Sequence, residues 1–548
     1  MRAELAQSSG RSTQVRVGDD KPGHVRERNS VALRVACHLG VWLSLGVPTL
    51  IEVASGLHAY GDDAAISSRA YGMLSHPTLV GMLTSARTPV GHPLFDPGPL
   101  MFPLLGLPLR IDPFHGWLWG PLVVCGIALS IGVEAALRVR RWAAVLIPVV
   151  LLELLWLYPP VLVDPEWNSH FAILLFIASL GVAWLVCNGQ PGWWAVLVFF
   201  ASVEAQAHLF YVAPAALLSL TALVVGLITA HRYWWVAVGA VVGVLCWLAP
   251  IIQQIEGPYG NLSSLLSASH DTRTQGLSFA LQSLGSAGSP HPIWLTSLAF
   301  THSLLPSLAR SMSPAWGVGV LIVLLVVAVG ALCAHWRALG TLSLITLACS
   351  IAFVAEVTDV PVASALSLGY LMDVFWVIGI LLWLCVVWMA AKLAKMLLPK
   401  LVSRKRTAIR ATAGLVGACA VGALCFPALS SAANPRIGWP DGSTQATTVA
   451  AKAIERQTPR GPVALTMVSP FPGRHTAGQI WLHGLFVIEI ERSIGYRLQT
   501  DGWYPGSTSM YEPRGPNTSL AIAGPSWPSF VVYFRGTRVT AVRRLPEG

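Results

Sequence analysis

The sequence predicts an all-α, polytopic membrane protein with about eleven transmembrane helices and a small α/β domain at its C-terminal end. Three observations predict it. Only 11% of the 548 residues are charged and 54% are hydrophobic, whereas a soluble domain has about 25% charged residues. Mean hydropathy is +0.61, gathered into long apolar runs rather than spread evenly. Basic residues are concentrated in alternate connections between those runs, the pattern membrane insertion imposes.

The apolar runs lie at 32–55, 114–137, 143–162, 169–187, 192–209, 211–230, 234–252, 314–334, 339–356, 364–391 and 411–429. Each is long enough to cross ~30 Å of hydrocarbon as a helix, some with tilt. A helix satisfies all its backbone polar groups internally, which lipid demands. The 31 residues before the first run are polar and basic. They exceed the short charged region of a cleavable signal, so residues 1–31 are read as a cytoplasmic tail before an uncleaved span.

Charge then sets the sides. Arg2, Arg11, Arg16, Lys21, Arg26 and Arg28 precede the first run, and Arg138, Arg140 and Arg141 follow the second. Arg232 and Arg337 fall in later even-numbered turns, and Lys392, Lys395, Lys400, Arg404, Lys405, Arg406 and Arg410 precede the last run. The intervening loops 163–168 and 357–363 have no Lys or Arg. The expected topology is a multi-pass protein of the cell membrane with a cytoplasmic N-terminus and an extracytoplasmic C-terminus. Segments 56–113 and 253–313 become outer loops, and 430–548 an outer domain. That domain is expected to have a helix at 445–456, strands at 462–468 and 529–535, and a mixed run at 476–492.

The net charge of +10 is explained by these inward loops. No aromatic-interleaved basic stripe exists, so nucleic acid is excluded as a partner and membrane lipids are expected. The nine cysteines all sit in or beside apolar runs and form no CxxC, which reads as small buried hydrophobes rather than disulfides or a zinc site. Neither GxGxxG nor GxxxxGK[ST] occurs, so no nucleotide loop is expected.

Chemistry is most concentrated in the first outer loop. Asp62 and Asp63 precede Ile66, Ala70, Tyr71, Met73 and Leu74, spaced for a short amphipathic helix on the membrane interface. A carboxylate there can act as a general base toward a sugar hydroxyl, ligate a divalent metal, or cap the helix. Glu204 and His208, spaced i, i+4, would share one helix face as a functional or structural pair. Asp164, Glu166 and His170 cluster at an outer turn, and Tyr370 and Asp373 enter the tenth run near its outer end. Arg69, Arg87, Arg273 and Arg310 are outward arginines able to grip phosphate oxygens.

Taken together, the loop resembles the GT-C glycosyltransferases, and more closely the bacterial protein mannosyltransferase-like group. The resemblance rests on Gly61-Asp62 after the first span, Asp96-Pro97-Gly98-Pro99 before the second, and Trp167-Asn168 opening the fourth. It continues in Gln206-Ala207-His208-Leu209-Phe210-Tyr211 and in Pro250 to Gln254 followed by Gly260-Asn261-Leu262-Ser263. It covers roughly the first half of the chain. It implies inverting transfer of a sugar from a polyprenyl-phosphate donor to a glycan, lipid or protein acceptor outside the membrane. It makes Asp62 the base, with Asp63 as neighbour or second candidate. The family's His before Pro-Gly-Pro is Asp96 here and His92 comes earlier, so His92, Asp96 or neither fills that role. Candidate substrate-binding residues are Arg69, Arg87, His92, Asp96, Glu166, His208, Tyr370 and Asp373. A prenyl phosphate is a good leaving group, so metal help is optional and no resident cofactor is required. Two rivals stand beside this reading: a transporter or flippase of a lipid-linked or small polar substrate, and a catalytically inactive relative in envelope assembly.

Overall fold

The computed structural model describes residues 22–55, 62–73, 77–87, 93–112, 115–157, 162, 166–229, 233–256, 260–267, 274–289, 312–360, 371, 373–397, 452–453, 456–457, 462–468, 497–500, 529–535 and 538–544. In chain order the helices are α1 (Pro22–Ser55), α2 (Asp62–Gly72), α3 (Met101–Ile111), α4 (Gly116–Val139), α5 (Leu146–Leu157), α6 (Asn168–Cys187), α7 (Trp194–Ala207), α8 (Val212–Thr229) and α9 (Trp234–Glu256). They continue as α10 (Asn261–Ser267), α11 (Gly276–Gly288), α12 (Pro314–Cys333), α13 (Arg337–Thr358) and α14 (Val374–Leu397). An antiparallel ribbon, β1 (Leu83–Arg87) and β2 (Pro93–Phe95), lies between α2 and α3.

Among the described residues eight helices are long and apolar enough to cross a membrane. The protein is therefore polytopic, and its lipid-facing surface is visible. Along α1, Val31, Val35, Leu39 and Leu43 are exposed while Cys37, Val41 and Leu45 are buried. Val238, Val241, Leu245 and Leu248 form a similar exposed stripe on α9. Apolar patches this continuous belong in hydrocarbon, not water.

Eight of the eleven expected runs form helices long and apolar enough to cross a membrane among the described residues. In the runs 143–162 and 192–209 the described helices are α5 and α7, each preceded by a 3-10 turn; residues 158–161 lie outside the described residues, and α7 stops at His208. His208 adopts an extended conformation, with φ −151 and ψ 126. The tenth run is shifted to α14, and 411–429 lies outside the described residues.

The bundle is organised around α6. Every residue of its most apolar window is buried, as expected of a helix hydrophobic on all faces. It packs on α4, α7, α8 and α13. Its contact with α4 depends on two facing glycines: a Cβ at Gly181 would stand 2.8 Å from the Gly132 carbonyl oxygen. Small residues let helix backbones approach where lipid supplies no hydrophobic drive between helices.

Segment 253–313, expected as a polar outer loop, holds α10 and α11. Helix α11 is packed against α12, α13 and α14, burying Phe279, Ala280, Ser283, Leu284 and Ala287. Its serines disguise it in sequence. Ser283 donates to the Phe279 carbonyl (2.8 Å) and Ser286 to the Ser283 carbonyl (2.6 Å), so their hydroxyls are satisfied within the helix and can be buried.

In the C-terminal segment the strands expected at 462–468 and 529–535 are present as β3 (Pro462–Val468) and β5 (Ser529–Arg535). They are joined by β4 (Arg497–Thr500) and β6 (Arg538–Arg544) in a sheet ordered β4-β3-β5-β6, parallel except for the β5–β6 pair. Of the expected helix 445–456 only residues 452–453 are described as helical, and 476–492 lies outside the described residues. Cys37, Cys125, Cys187, Cys246, Cys349 and Cys385 are free and buried; Cys333 is free but exposed at the end of α12.

Replacing Gly181 with Leu is expected to destabilise the α4–α6 contact by on the order of 1–3 kcal/mol, the range for an overpacked core. Thermal unfolding of purified protein in detergent measures this, and an unchanged midpoint would contradict the packing role.

Candidate active site at the acidic end of the bundle

The two ends of the helical bundle differ in charge. Arg138 and Arg140 at the end of α4, Arg337 at the start of α13, and Gln190 between α6 and α7 gather at one end. Arg34 and His38 of α1 pair there with Glu134 of α4, at 2.9 and 3.0 Å. The opposite end carries Asp62, Asp63, Asp96 and Glu166.

That acidic end is assembled on α2. Asp63, Ile66, Ser67 and Ala70 fall at i, i+3, i+4 and i+7, and all are buried. Of the expected apolar stripe, Ile66 and Ala70 face protein, where α2 packs on α3, and Tyr71 and Met73 are half-buried. Asp62 and Asp63 both sit in the first helical turn, where the helix dipole favours negative charge. Asp62 is half-buried while Asp63 is only 5% exposed.

Three consecutive residues at the start of α6 bind three parts of the loop. Glu166 accepts a hydrogen bond from the Ser67 hydroxyl at 2.7 Å. The Trp167 indole N–H donates to Asp62 Oδ2 at 3.2 Å. The Asn168 amide donates to Asp96 Oδ2 at 3.1 Å and to the Ala207 carbonyl at 3.1 Å. The other Asp96 oxygen, Oδ1, accepts from the Leu209 backbone N–H at 2.8 Å. One carboxylate thereby joins the first outer loop, α6 and the α7–α8 turn.

The neighbouring residues are anchored from other sides. Asn261 of α10 pairs with both backbone groups of Phe95, accepting from its N–H (3.1 Å) and donating to its carbonyl (3.0 Å). The Gln253 side chain accepts from the Asn261 N–H at 2.9 Å. Gln206 accepts from the Leu100 N–H at 3.4 Å and donates to the Cys246 carbonyl at 2.8 Å. Gly98 is required by this crowding, because a Cβ there would overlap the Gln206 side-chain amide. The four dispersed motifs of the sequence, around Asp96, Trp167, Gln206 and Asn261, thus meet in one cluster.

Arg69 is buried in the same cluster. It donates to the Gly81 carbonyl, and its guanidinium carbon lies 5.4 Å from the Phe102 ring centroid and 5.7 Å from that of Phe95. Arg87 ends β1, its backbone paired with Pro93. His208 borders the cluster: its Nδ1 accepts from the Phe210 N–H at 3.2 Å, and its ring meets Tyr211 edge-on. It does not pair with Glu204 as the i, i+4 spacing predicts. Glu204 accepts from Ser179 at 3.5 Å inside the bundle, because His208 has left the helix. Asp373 is buried just before α14, and rings at Tyr211, Phe353 and Phe375 run in contact between the His208 turn and that helix. His92, Tyr370, Asp164, Arg273 and Arg310 lie outside the described residues. Among the described residues no group of three or more His, Cys, Asp or Glu side chains is arranged to hold a metal.

Ser67 and the pairing of Asn261 with the Phe95 backbone were not legible as site features. The available signal was the placement of amides and a hydroxyl at the very ends of apolar helices, where the only groups left to bond are loop backbones.

Burial pushes the Asp96 carboxyl up to about 8. The Leu209 amide, the Asn168 amide and the Arg69 cation pull the other way, and the charge of Asp62 raises it further. Because the folded value exceeds the unfolded one, Asp96 contributes stability that is complete below about pH 4 and is lost as pH rises through about 8. Asp96→Asn keeps a neutral, similarly shaped group. It is expected to flatten the fall in thermal midpoint between pH 6 and 9 by roughly the effect of one titrating group. An identical pH slope in both proteins would refute that titration.

No family model matches the chain, and no curated protein matches it. A solved structure, "Crystal Structure of ArnT from Cupriavidus metallidurans bound to Undecaprenyl phosphate", is similar over 93% of this chain and 97% of that one, at 15% sequence identity and a TM-score of 0.47. A likeness of that degree leaves function to be argued from this chain's own residues.

Proposed function

We propose that the protein is a GT-C-type membrane glycosyltransferase. It moves a sugar from a polyprenyl-phosphate donor to a glycan, lipid or protein acceptor on the extracytoplasmic side. The observation that carries the reading is the convergence of Asp62, Asp63, Asp96 and Glu166 with the Trp167-Asn168, Gln206 and Asn261 motifs, at the end of the bundle opposite the basic turns. By the positive-inside rule that basic end is cytoplasmic and the acidic end outside.

In this reading Asp62 is the general base. It is the half-buried member of the Asp62/Asp63 pair, open enough to meet an acceptor, and the Trp167 N–H orients its carboxylate. The acceptor oxygen attacks the anomeric carbon as its proton passes to Asp62. The bond from that carbon to the phosphate oxygen breaks, and the polyprenyl phosphate leaves with the electron pair. Single displacement inverts the anomeric centre. Asp63, buried beside it, stabilises the start of α2 and is the second candidate. Arg69 sits inward, where its charge steadies the carboxylates. Arg87, at the end of β1 in the same outer loop, is the cation proposed for the leaving phosphate. Asp96 and Glu166 hold the loop in place rather than react. His92, Tyr370 and Asp373 remain proposed substrate contacts, with His208 at the margin of the cluster. A divalent metal is optional.

The test uses purified full-length protein, a radiolabelled polyprenyl-phosphate sugar and a mixture of envelope glycans. Asp62→Asn is expected to lower transfer on the order of 10²–10⁴-fold, the usual contribution of a general base. Asp63→Asn is expected to act more weakly. Transfer that survives the double substitution would remove both as the base. No transfer from any donor, together with movement of a polar substrate across liposomes, would instead establish the transporter reading.

A further inference from the structure

The basic end of the bundle carries a pocket that the proposed transfer does not use. It has a volume of about 220 Å³ and is lined by Arg138, Arg140, Gln190, His335 and Arg337 among others, with no carboxylate in its wall. The nearest acidic residue in sequence, Glu134, is one turn before Arg138 and is occupied by Arg34 and His38. The cations are held in place by other groups. Arg138 donates to Gln190 at 3.4 Å and lies over the Trp193 ring, 5.0 Å from its centroid. Arg337 uses two of its five N–H groups on the Cys187 carbonyl, at 3.1 and 2.8 Å. Three arginines line this pocket with no acid in its wall, and an anion between them offsets their mutual repulsion.

A second observation is independent of charge. His335 has φ +57, in the left-handed region that favours glycine. It occupies the position after the end of α12 where a Schellman turn normally has Gly: the Trp336 N–H bonds the Ala331 carbonyl (2.7 Å) and the His335 N–H the Leu332 carbonyl (3.0 Å). Glycine would make this turn without strain. The strained choice keeps an imidazole in the wall of the arginine pocket.

A third observation identifies the level in the membrane. Trp142, itself exposed, stacks edge-on with Trp388 at 4.8 Å, and Lys392 lies 5.5 Å over Trp336. Tyr233 and Trp234 are exposed at the adjacent α8–α9 turn. Such a belt of aromatic rings marks the headgroup layer.

We propose that this pocket binds the phosphate of an anionic membrane phospholipid. The headgroup phosphate is held by Arg138, Arg140 and Arg337, with His335 as a further donor, and the acyl chains lie along the apolar helix surfaces. Basic pockets between transmembrane helices recognise headgroups in this way.

The test reconstitutes the full-length protein in phosphatidylcholine nanodiscs with or without phosphatidylglycerol, and reads lipid retained through delipidation and the thermal midpoint. Wild-type protein is expected to retain phosphatidylglycerol and to melt higher with it. Arg138→Gln/Arg140→Gln is expected to weaken retention roughly fivefold per arginine, about 25-fold for the pair. His335→Gly is expected to melt at or above the wild-type midpoint in phosphatidylcholine alone, yet to retain less phosphatidylglycerol. That variant carries the test if the arginine pair fails to fold. Equal retention by wild type and both variants overturns the proposal. An equal midpoint shift from inorganic phosphate in phosphatidylcholine overturns the lipid assignment in favour of a soluble anion.

Discussion

The Asp96 carboxylate accepts the Leu209 backbone N–H on one oxygen and the Asn168 amide on the other, and is 3% exposed. Each donor belongs to a different element. Asn168 is the first residue of the central helix α6, and Leu209 lies in the turn between α7 and α8. The loop that carries Asp96 holds the ribbon before it and α3 after it. The loop also buries Met82, Leu94, Phe95, Phe102 and Leu105, and the Asp96 tie fixes how that apolar surface sits on α6 and the α7–α8 turn. The position of α2, and with it of Asp62, depends on that anchor and on the parallel bonds from Glu166 and Trp167.

This arrangement opposes two physical tendencies. A buried carboxylate is strongly disfavoured unless it is hydrogen-bonded, and burial here raises its affinity for a proton. A Pro-Gly-Pro strap can present few backbone donors of its own. The amides of Asn168, Gln206 and Asn261 resolve both, since each supplies hydrogen bonds to backbone or carboxylate at a helix end. Apolar helices deliver those amides to the same level because each places its polar residue at its own terminus. The result is an acidic end tied together by hydrogen bonds at the termini of the bundle helices.

The basic end is built by a different route. Its arginines are anchored to a helix-end carbonyl, an amide side chain and indole rings. The charge separation between the ends follows from insertion chemistry, which retains Lys and Arg on one side. It also separates the two proposed ligands: a phosphate-linked sugar at the acidic end and a structural phospholipid at the other.

Composition and hydropathy alone determined that the chain is a polytopic helical membrane protein, because eight runs are unmistakably long and apolar. The strands β3 and β5 were equally legible, since Val463, Thr466 and Val468 of the one and Phe530, Val531, Val532, Tyr533 and Phe534 of the other are β-branched or aromatic. The spacing of Ile66, Ala70, Tyr71 and Met73 showed that α2 is a helix, but its periodicity could not say whether lipid or protein covers Ile66 and Ala70. Tertiary structure decided that it is protein. It also decided that His208 turns away from Glu204, and that α11 is buried despite its serines. Backbone periodicity reports only local geometry. Which polar groups meet across 72 residues, as Asn168 and Asp96 do, depends on how the helices pack, and no local pattern encodes that.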